Sequence, residues 1–195
     1  MHREGDVTLS VFLAMDVYIR LACFKDIPAL TNLIPKSARK LQANYYTFQQ
    51  IEGALGSVFG VDSQLIDDGT YFVAESKSQI IGCGGWSKRK TLYGGDQSKS
   101  MAEESFLDPK IEAAKIRAFF VDPTWARRGI GSQIMQQCET AACDAGFQKL
   151  EIIATLAGEF LYAKFGYHVI QQFDIPLPNG EMLPVVRMFK SYAVD

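Results

Sequence analysis

The sequence is poor in histidine and cysteine and has no long apolar run. Its only histidines are His2 and His168, and its only cysteines are Cys23, Cys83, Cys138 and Cys143. None of them stands in a Cys-x-x-Cys, His-Glu-x-x-His or mixed arrangement at metal-ligand spacing, so no metal is expected. Cys138 and Cys143 would turn to different faces of a helix, which argues against chelation or pairing. All four read as free, buried thiols in a reducing cytosol, so the expected location is cytoplasmic. The apolar stretch at residues 7–15 (VTLSVFLAM) is too short to span a bilayer, and it lacks the cleanly basic start and small-residue cleavage site of a signal peptide. Residues 1–16 therefore read as an extension, with Met15 a candidate original start just ahead of strand-like VYIRLA. A basic excess is also missing: 20 Lys and Arg face 22 Asp and Glu, a net charge of −2. No broad positive field exists to hold a nucleic-acid backbone or an anionic membrane, and neither is expected as a partner.

What remains is a chain of 195 residues, 48% hydrophobic and 22% charged, the composition of one globular domain with a real core. That domain is expected over residues 17–190. Lys25-Asp26-Ile27-Pro28 reads as a helix start with Asp26 as N-cap, and Pro35 should end or kink the helix. Thr47-Phe48-Gln49-Gln50 has capping-box spacing ahead of Ile51, Ala54, Leu55, Val58 and Phe59. Residues 69–75 and 80–86 read as a hairpin about a polar turn. Residues 87–114 form an insertion where a short connection is usual; within it Asp108-Pro109-Lys110-Ile111-Glu112 can cap one helical turn. AKIRAFFV (114–121), the helix GIGSQIMQQCETAACDA (129–145) and KLEIIAT (149–155) follow as strand, helix, strand, which implies a right-handed crossover and parallel pairing. A short helix at 158–165 and two strands flanking Pro178-Asn179-Gly180 complete the chain.

The chemically informative segment is VDPTWARRGIGS, residues 121–132. A strand end turns into a helix whose start carries Gly129 and Gly131, so unpaired N–H groups and a positive dipole end face outward. That suits an anion such as a pyrophosphate, which the glycines let approach the backbone and Arg127 and Arg128 would flank with charge. The segment is not a P-loop, since Gly-Lys-Ser/Thr is missing. Nor is it a dinucleotide fingerprint, because Ile134 stands where a third glycine is needed.

AFFVDP, WARRGIG, the helix, KLEIIAT and FLYAKFGY together resemble the acetyl-CoA-binding core of the GNAT superfamily of N-acetyltransferases. The family turn is Arg/Gln-x-x-Gly-x-Gly/Ala, matched by Arg128-Gly129-Ile130-Gly131, with Ala126 at the first position. The resemblance implies an α/β (α+β) fold: a central mixed, mostly antiparallel sheet of about six to seven strands with a splayed parallel central pair, flanked by about four helices. It implies acetyl-CoA as cosubstrate, its phosphates on the backbone of Arg127, Arg128, Gly129, Ile130, Gly131 and Ser132. Phe119, Phe120 and Val121 would line the pantetheine arm. Thr155 stands where many members carry a cofactor-contacting Asn, and Tyr162 matches the tyrosine near the thioester sulfur.

Thioester aminolysis needs a neutral amine, an N–H for the oxyanion, a base for the amine and an acid for the leaving thiolate. Tyr162 is the acid candidate. Where members often carry a Glu base this chain has Lys115 and Arg117; Glu75, the insertion or a water relay stay open for that role. The implied activity is acetyl transfer to a primary amine of a small molecule or peptide, with a homodimer left open. A CoA-binding sensor without transfer and a ligand-free structural dimer are the alternatives. Tyr45, Tyr46, Trp86, Arg89 and Tyr93 are the residues to inspect for the acceptor.

Overall fold

The structure, a computed structural model, describes residues 16–91, 93–96 and 105–192. The extension ahead of Asp16, including the Met15 boundary, and residues 97–104 of the insertion lie outside them. Among the described residues there are seven strands: β1 (Tyr18–Leu21), β2 (Tyr71–Ser76), β3 (Gln79–Ser87), β4 (Ala114–Val121), β5 (Lys149–Thr155), β6 (His168–Pro176) and β7 (Met182–Ser191). They form one sheet in the order β1-β2-β3-β4-β5-β7-β6. Every neighbouring pair is antiparallel except β4 and β5, which the crossover helix makes parallel.

The helices are α1 (Ile27–Leu41), α2 (Phe48–Ala54), α3 (Ser63–Asp67), α4 (Ile130–Asp144) and α5 (Glu159–Lys164). α1 runs through Pro35 instead of ending there. The proline forfeits a single ladder bond, while Leu30, Leu33, Ile34, Ser37 and Ala38 bury one continuous face across it. Asp26 makes no side-chain cap on α1. It accepts from Cys23 N (2.8 Å) and both Arg20 terminal nitrogens (2.7 and 2.9 Å), fastening the short 3-10 turn Phe24–Asp26 to β1. The capping box at Thr47 and Gln50 forms as expected, at 3.1 and 3.0 Å. Its helix stops at Ala54, and Leu55 to Phe59 turn back to close the core.

α1, α2 and α3 cover one face of the sheet and α4 and α5 the other. Leu30, Ile34, Leu65, Tyr71, Phe120 and Leu183 fill the first core. Ile116, Ile130, Ile134, Met135, Leu150 and Met188 fill the second. Each large aliphatic so buried contributes roughly 1.5–3 kcal/mol. Only Cys83 and Cys138 are buried; Cys23 and Cys143 are exposed. The five-residue step between Cys138 and Cys143 that forbids chelation also carries Cys143 off the packed face of α4.

Candidate active site

Asp122 stands at the end of β4 and organises the turn into α4. Its Oδ1 accepts from Thr124 N (2.9 Å) and Thr124 Oγ1 (2.7 Å), and its Oδ2 from Lys36 Nζ (2.7 Å). Burial alone would push this carboxyl up, but the Lys36 and Thr124 hydrogen bonds outweigh it and hold it below its ordinary value. After the 3-10 turn Pro123–Trp125 the chain reverses through two left-handed residues, Arg127 (φ 63°) and Gly129 (φ 83°). The first bond of α4 runs from Gln133 N to Gly129 O, 3.0 Å. The N–H groups of Ile130, Gly131 and Ser132 thus precede the helix ladder and point along its positive end. Arg127 and Arg128 are exposed beside them, over the rings of Phe160 (5.8 Å) and Trp125 (5.3 Å).

The two glycines serve different needs. A Cβ on Gly129 would meet nothing within 4 Å, so its requirement is the positive φ. A Cβ on Gly131 would lie 3.3 Å from Leu161 Cδ2 and 3.9 Å from Val121 Cγ2. Gly131 therefore lets α4 and α5 approach each other.

The parallel pairing of β4 and β5 holds only over Ala114–Leu150, Lys115–Glu151 and Ile116–Ile152. Beyond it a bulge turns β4 away: Ala118 has φ 61°, and the β3–β4 register shifts between Cys83 and Gly85. Gly84 makes room, since a Cβ there would strike the Phe119 ring at 2.8 Å. The strands splay, and the edges of β4 and β5 that face the gap lose their ladder partners. A cavity of about 70 Å³ sits in the gap, room for a few waters or a small acyl group. Phe119, Phe120, Thr155 and Tyr162, four residues singled out from the sequence, all line it. Val121 does not, and its N–H donates to Ser37 Oγ at 3.2 Å. Thr155 Oγ1 accepts from Gly158 N (3.2 Å), which shapes the turn into α5.

Tyr162 is buried, its ring edge-on to Phe119 at 6.0 Å and to Tyr167 at 6.2 Å. Burial, with Cys138 adding to it, pushes its hydroxyl well above the ordinary tyrosine value, so it stays protonated at neutral pH. No carboxylate lines the cavity among the described residues. Glu75 is elsewhere: Tyr18 and Arg20 hold its oxygens, and it faces a separate cleft beside α1. Lys115 is spent on Glu151 at 2.9 Å, which also accepts from Arg187 at 2.6 Å.

Of the acceptor candidates, only Tyr93 reaches the cavity. Tyr46 is buried and bridges Leu156 N (2.9 Å) to Pro184 O (2.7 Å). Trp86 lies in the opposite core against Phe147, and Arg89 is bidentate to Asp68 at 2.7 and 2.8 Å. Tyr45 is exposed. The sequence reading missed Asp62, which the structure places 2.7 Å from Arg117 with both side chains buried. Arg117 in the middle of an apolar strand was the available signal, because a buried guanidinium demands an acid.

Residues 67–169, more than half of the chain, match the family model described as an acetyltransferase (GNAT) domain. No curated protein matches the chain. Among solved structures, a GCN5-related N-acetyltransferase from Rhodopseudomonas palustris superposes with a TM-score of 0.66 at 19% identity, covering 90% of this chain and 95% of that one. The PaiA N-acetyltransferase from Thermoplasma acidophilum, in complex with coenzyme A, gives 0.61 at 14% identity over 91% and 100%. A GNAT family acetyltransferase from Brucella melitensis, in complex with acetyl-CoA, gives 0.55 at 14% identity over 93% and 91%. At these identities the likeness is one of fold.

Proposed function

Because this chain belongs to the GNAT acetyltransferase family, we propose that it transfers the acetyl group of acetyl-CoA to a primary amine of a small molecule or peptide by direct attack. The observation that supports this reading is that β4, whose end lines a strand gap together with the buried Tyr162, leads directly into a helix start whose first N–H groups precede the helix ladder. The N–H groups at Gly129 to Ser132, flanked by Arg127 and Arg128, would hold the pyrophosphate, and the freed edge of β4 at Phe119 and Phe120 would take the pantetheine arm. The Thermoplasma and Brucella proteins, described with coenzyme A and acetyl-CoA, support that assignment at the level of the fold.

In this site a backbone N–H on the β4 edge polarises the thioester carbonyl, the neutral amine attacks it, and Tyr162 protonates the departing thiolate. No carboxylate lines the cavity among the described residues, and a water relay or a residue of the insertion would take the amine proton. That same feature favours a second reading, a sensor that binds CoA and transfers nothing. The discriminating experiment incubates acetyl-CoA with a panel of primary amines and follows free thiol. Amine-dependent thiol release supports transfer, and saturable acetyl-CoA binding without release for any amine supports the sensor.

A further inference from the structure

The start of the 87–114 insertion is fastened down. Gly95 N donates to Ser57 O (3.1 Å) and Asp96 N to Val61 O (3.0 Å), while Asp96 Oδ1 accepts from Ser63 N and Ser63 Oγ, both at 2.9 Å. A Cβ on Gly95 would lie 2.9 Å from Val61 O, so the two segments run in direct contact. On the other side Arg117 Nη1 donates to Thr91 O at 3.1 Å and Nη2 to Gly94 O. Nη2 also faces Asp62 Oδ2 at 2.7 Å, with side-chain exposures of 5% and 1%. Arg117 thus joins three pieces of chain, β4, the strap of the insertion at Thr91 and Gly94, and the loop before α3, directly beside the bulge that opens the cleft.

Tyr93 is carried on that strap and lines the cavity with Phe59, Phe120, Ile175 and Val185. Its ring is partly exposed, as expected of a wall between cavity and solvent. The Arg117 charge is compensated by Asp62, and no acidic side chain lines the cavity among the described residues. The charged side chain in that lining is Arg117, a cation, which disfavours a second ammonium group on an acceptor, whereas Phe59, Tyr93, Phe120, Ile175 and Val185 offer an apolar body aromatic and aliphatic walls.

We propose that Arg117 and Asp62 are a buried positioning pair that holds Tyr93 as the acceptor-side wall of the cleft, and that the cleft so closed selects a primary amine with an apolar body. This rests on the acetyltransferase reading. Arg117 is itself part of the cavity lining, but its hydrogen bonds and ion pair run to the strap and to Asp62, and through them it positions Tyr93.

Removing one partner would leave the other as an uncompensated buried charge and risk unfolding, whereas replacing both by apolar residues of similar size is often tolerated. The test therefore uses the full-length Arg117→Met/Asp62→Leu double variant, with Tyr93→Ala and Arg117→Lys beside it. Acetyl-CoA affinity is measured by titration, and thiol release is followed with 2-phenylethylamine and with spermidine. Wild type is expected to favour 2-phenylethylamine in kcat/KM by about 10-fold or more. In the double variant and in Tyr93→Ala, KM for that amine should rise about 10-fold or more, with a smaller change in kcat and acetyl-CoA affinity within about twofold. Arg117→Lys, which keeps the charge but not the fork, should fall between. An unmoved KM in the folded double variant or a preference for spermidine would each overturn the proposal; acetyl-CoA binding without thiol release for any amine would count against the transferase reading. Failure of wild type to bind acetyl-CoA would instead bring down the transferase reading on which it rests.

Discussion

Tyr162 meets two requirements of a proton donor to a thiolate: it lines the cavity, and as a tyrosine its hydroxyl carries a proton at neutral pH, which burial does not remove. Tyr162→Phe should lower turnover by about 10-fold to 1000-fold, within the range of general acid catalysis, with acetyl-CoA affinity nearly unchanged. A normal rate, measured as amine-dependent thiol release, would leave the residue as packing between Phe119 and Tyr167. Gly129 and Gly131 were legible in the sequence as special through the approach of a phosphate, and the structure adds a need of its own at each, conformation at the first and packing at the second. At Gly129 a side chain has space and the wrong φ. Gly129→Val should cost about 1–3 kcal/mol of backbone strain, which a chain of this size registers as a few degrees in thermal midpoint. Its larger expected effect is on acetyl-CoA affinity, by about 10-fold or more, because the strained turn aims the helix N–H groups. Gly131→Ala asks Leu161 to give way, so its first effect should be on the α4–α5 contact and on thermal stability. Arg117 shows the limit at this scale: sequence marks it as a cation in an apolar strand, but its acid, Asp62, lies 55 positions earlier and no spacing rule connects them.

At the scale of elements, long periodic segments were readable and short ones set by tertiary contacts were not. β5 occupies the expected residues 149–155, and α4 begins one residue after Gly129. The β2–β3 hairpin closes through Lys77 and Ser78 at φ 48° and 63°, a turn whose twist suits the strands. α3, of five residues, carries too little periodicity to be seen, and the passage of α1 through Pro35 depends on a buried face that only the sheet supplies. The joint between β1 and α1 offers a test of its own. The Arg20 hydrogen bonds, helped by Cys23 and opposed by burial, hold the Asp26 carboxyl down to about 2 from an ordinary 3.8. A lowered folded value means the stabilisation is fully present above about pH 4 and is lost as pH falls through about 2. Its size is about 1–2 kcal/mol, discounted because Arg20 is one-third exposed. In urea unfolding, wild type should exceed Asp26→Asn by that margin at pH 7, and the gap should narrow towards pH 3. A gap that stayed constant or widened on acidification would contradict the assignment.

For the whole molecule, one parallel pair in an otherwise antiparallel sheet decides where chemistry can occur. The crossover through α4 forces β4 and β5 parallel, the bulge at Ala118 parts them after three residue pairs, and the gap joins the two faces. On one face stands the helix start with its free N–H groups; on the other stand α1, α2 and the strap of the insertion. The order of strands and helices, and with it the resemblance to an acetyl-CoA-binding core, was open to sequence reading because it depends on local patterns. The proposed acceptor side was not, because it would be assembled from residues 42, 58–60, 93–94, 175 and 185, which share no motif. In the proposed function, binding of acetyl-CoA at the 127–132 turn is the step on which transfer would depend. Isothermal titration of acetyl-CoA into wild type and into folded Gly129→Val tests it most directly. Saturable one-to-one binding to wild type is expected, with affinity lowered by about 10-fold or more in the variant. Absence of binding to wild type, or equal affinity in both proteins, would contradict that assignment.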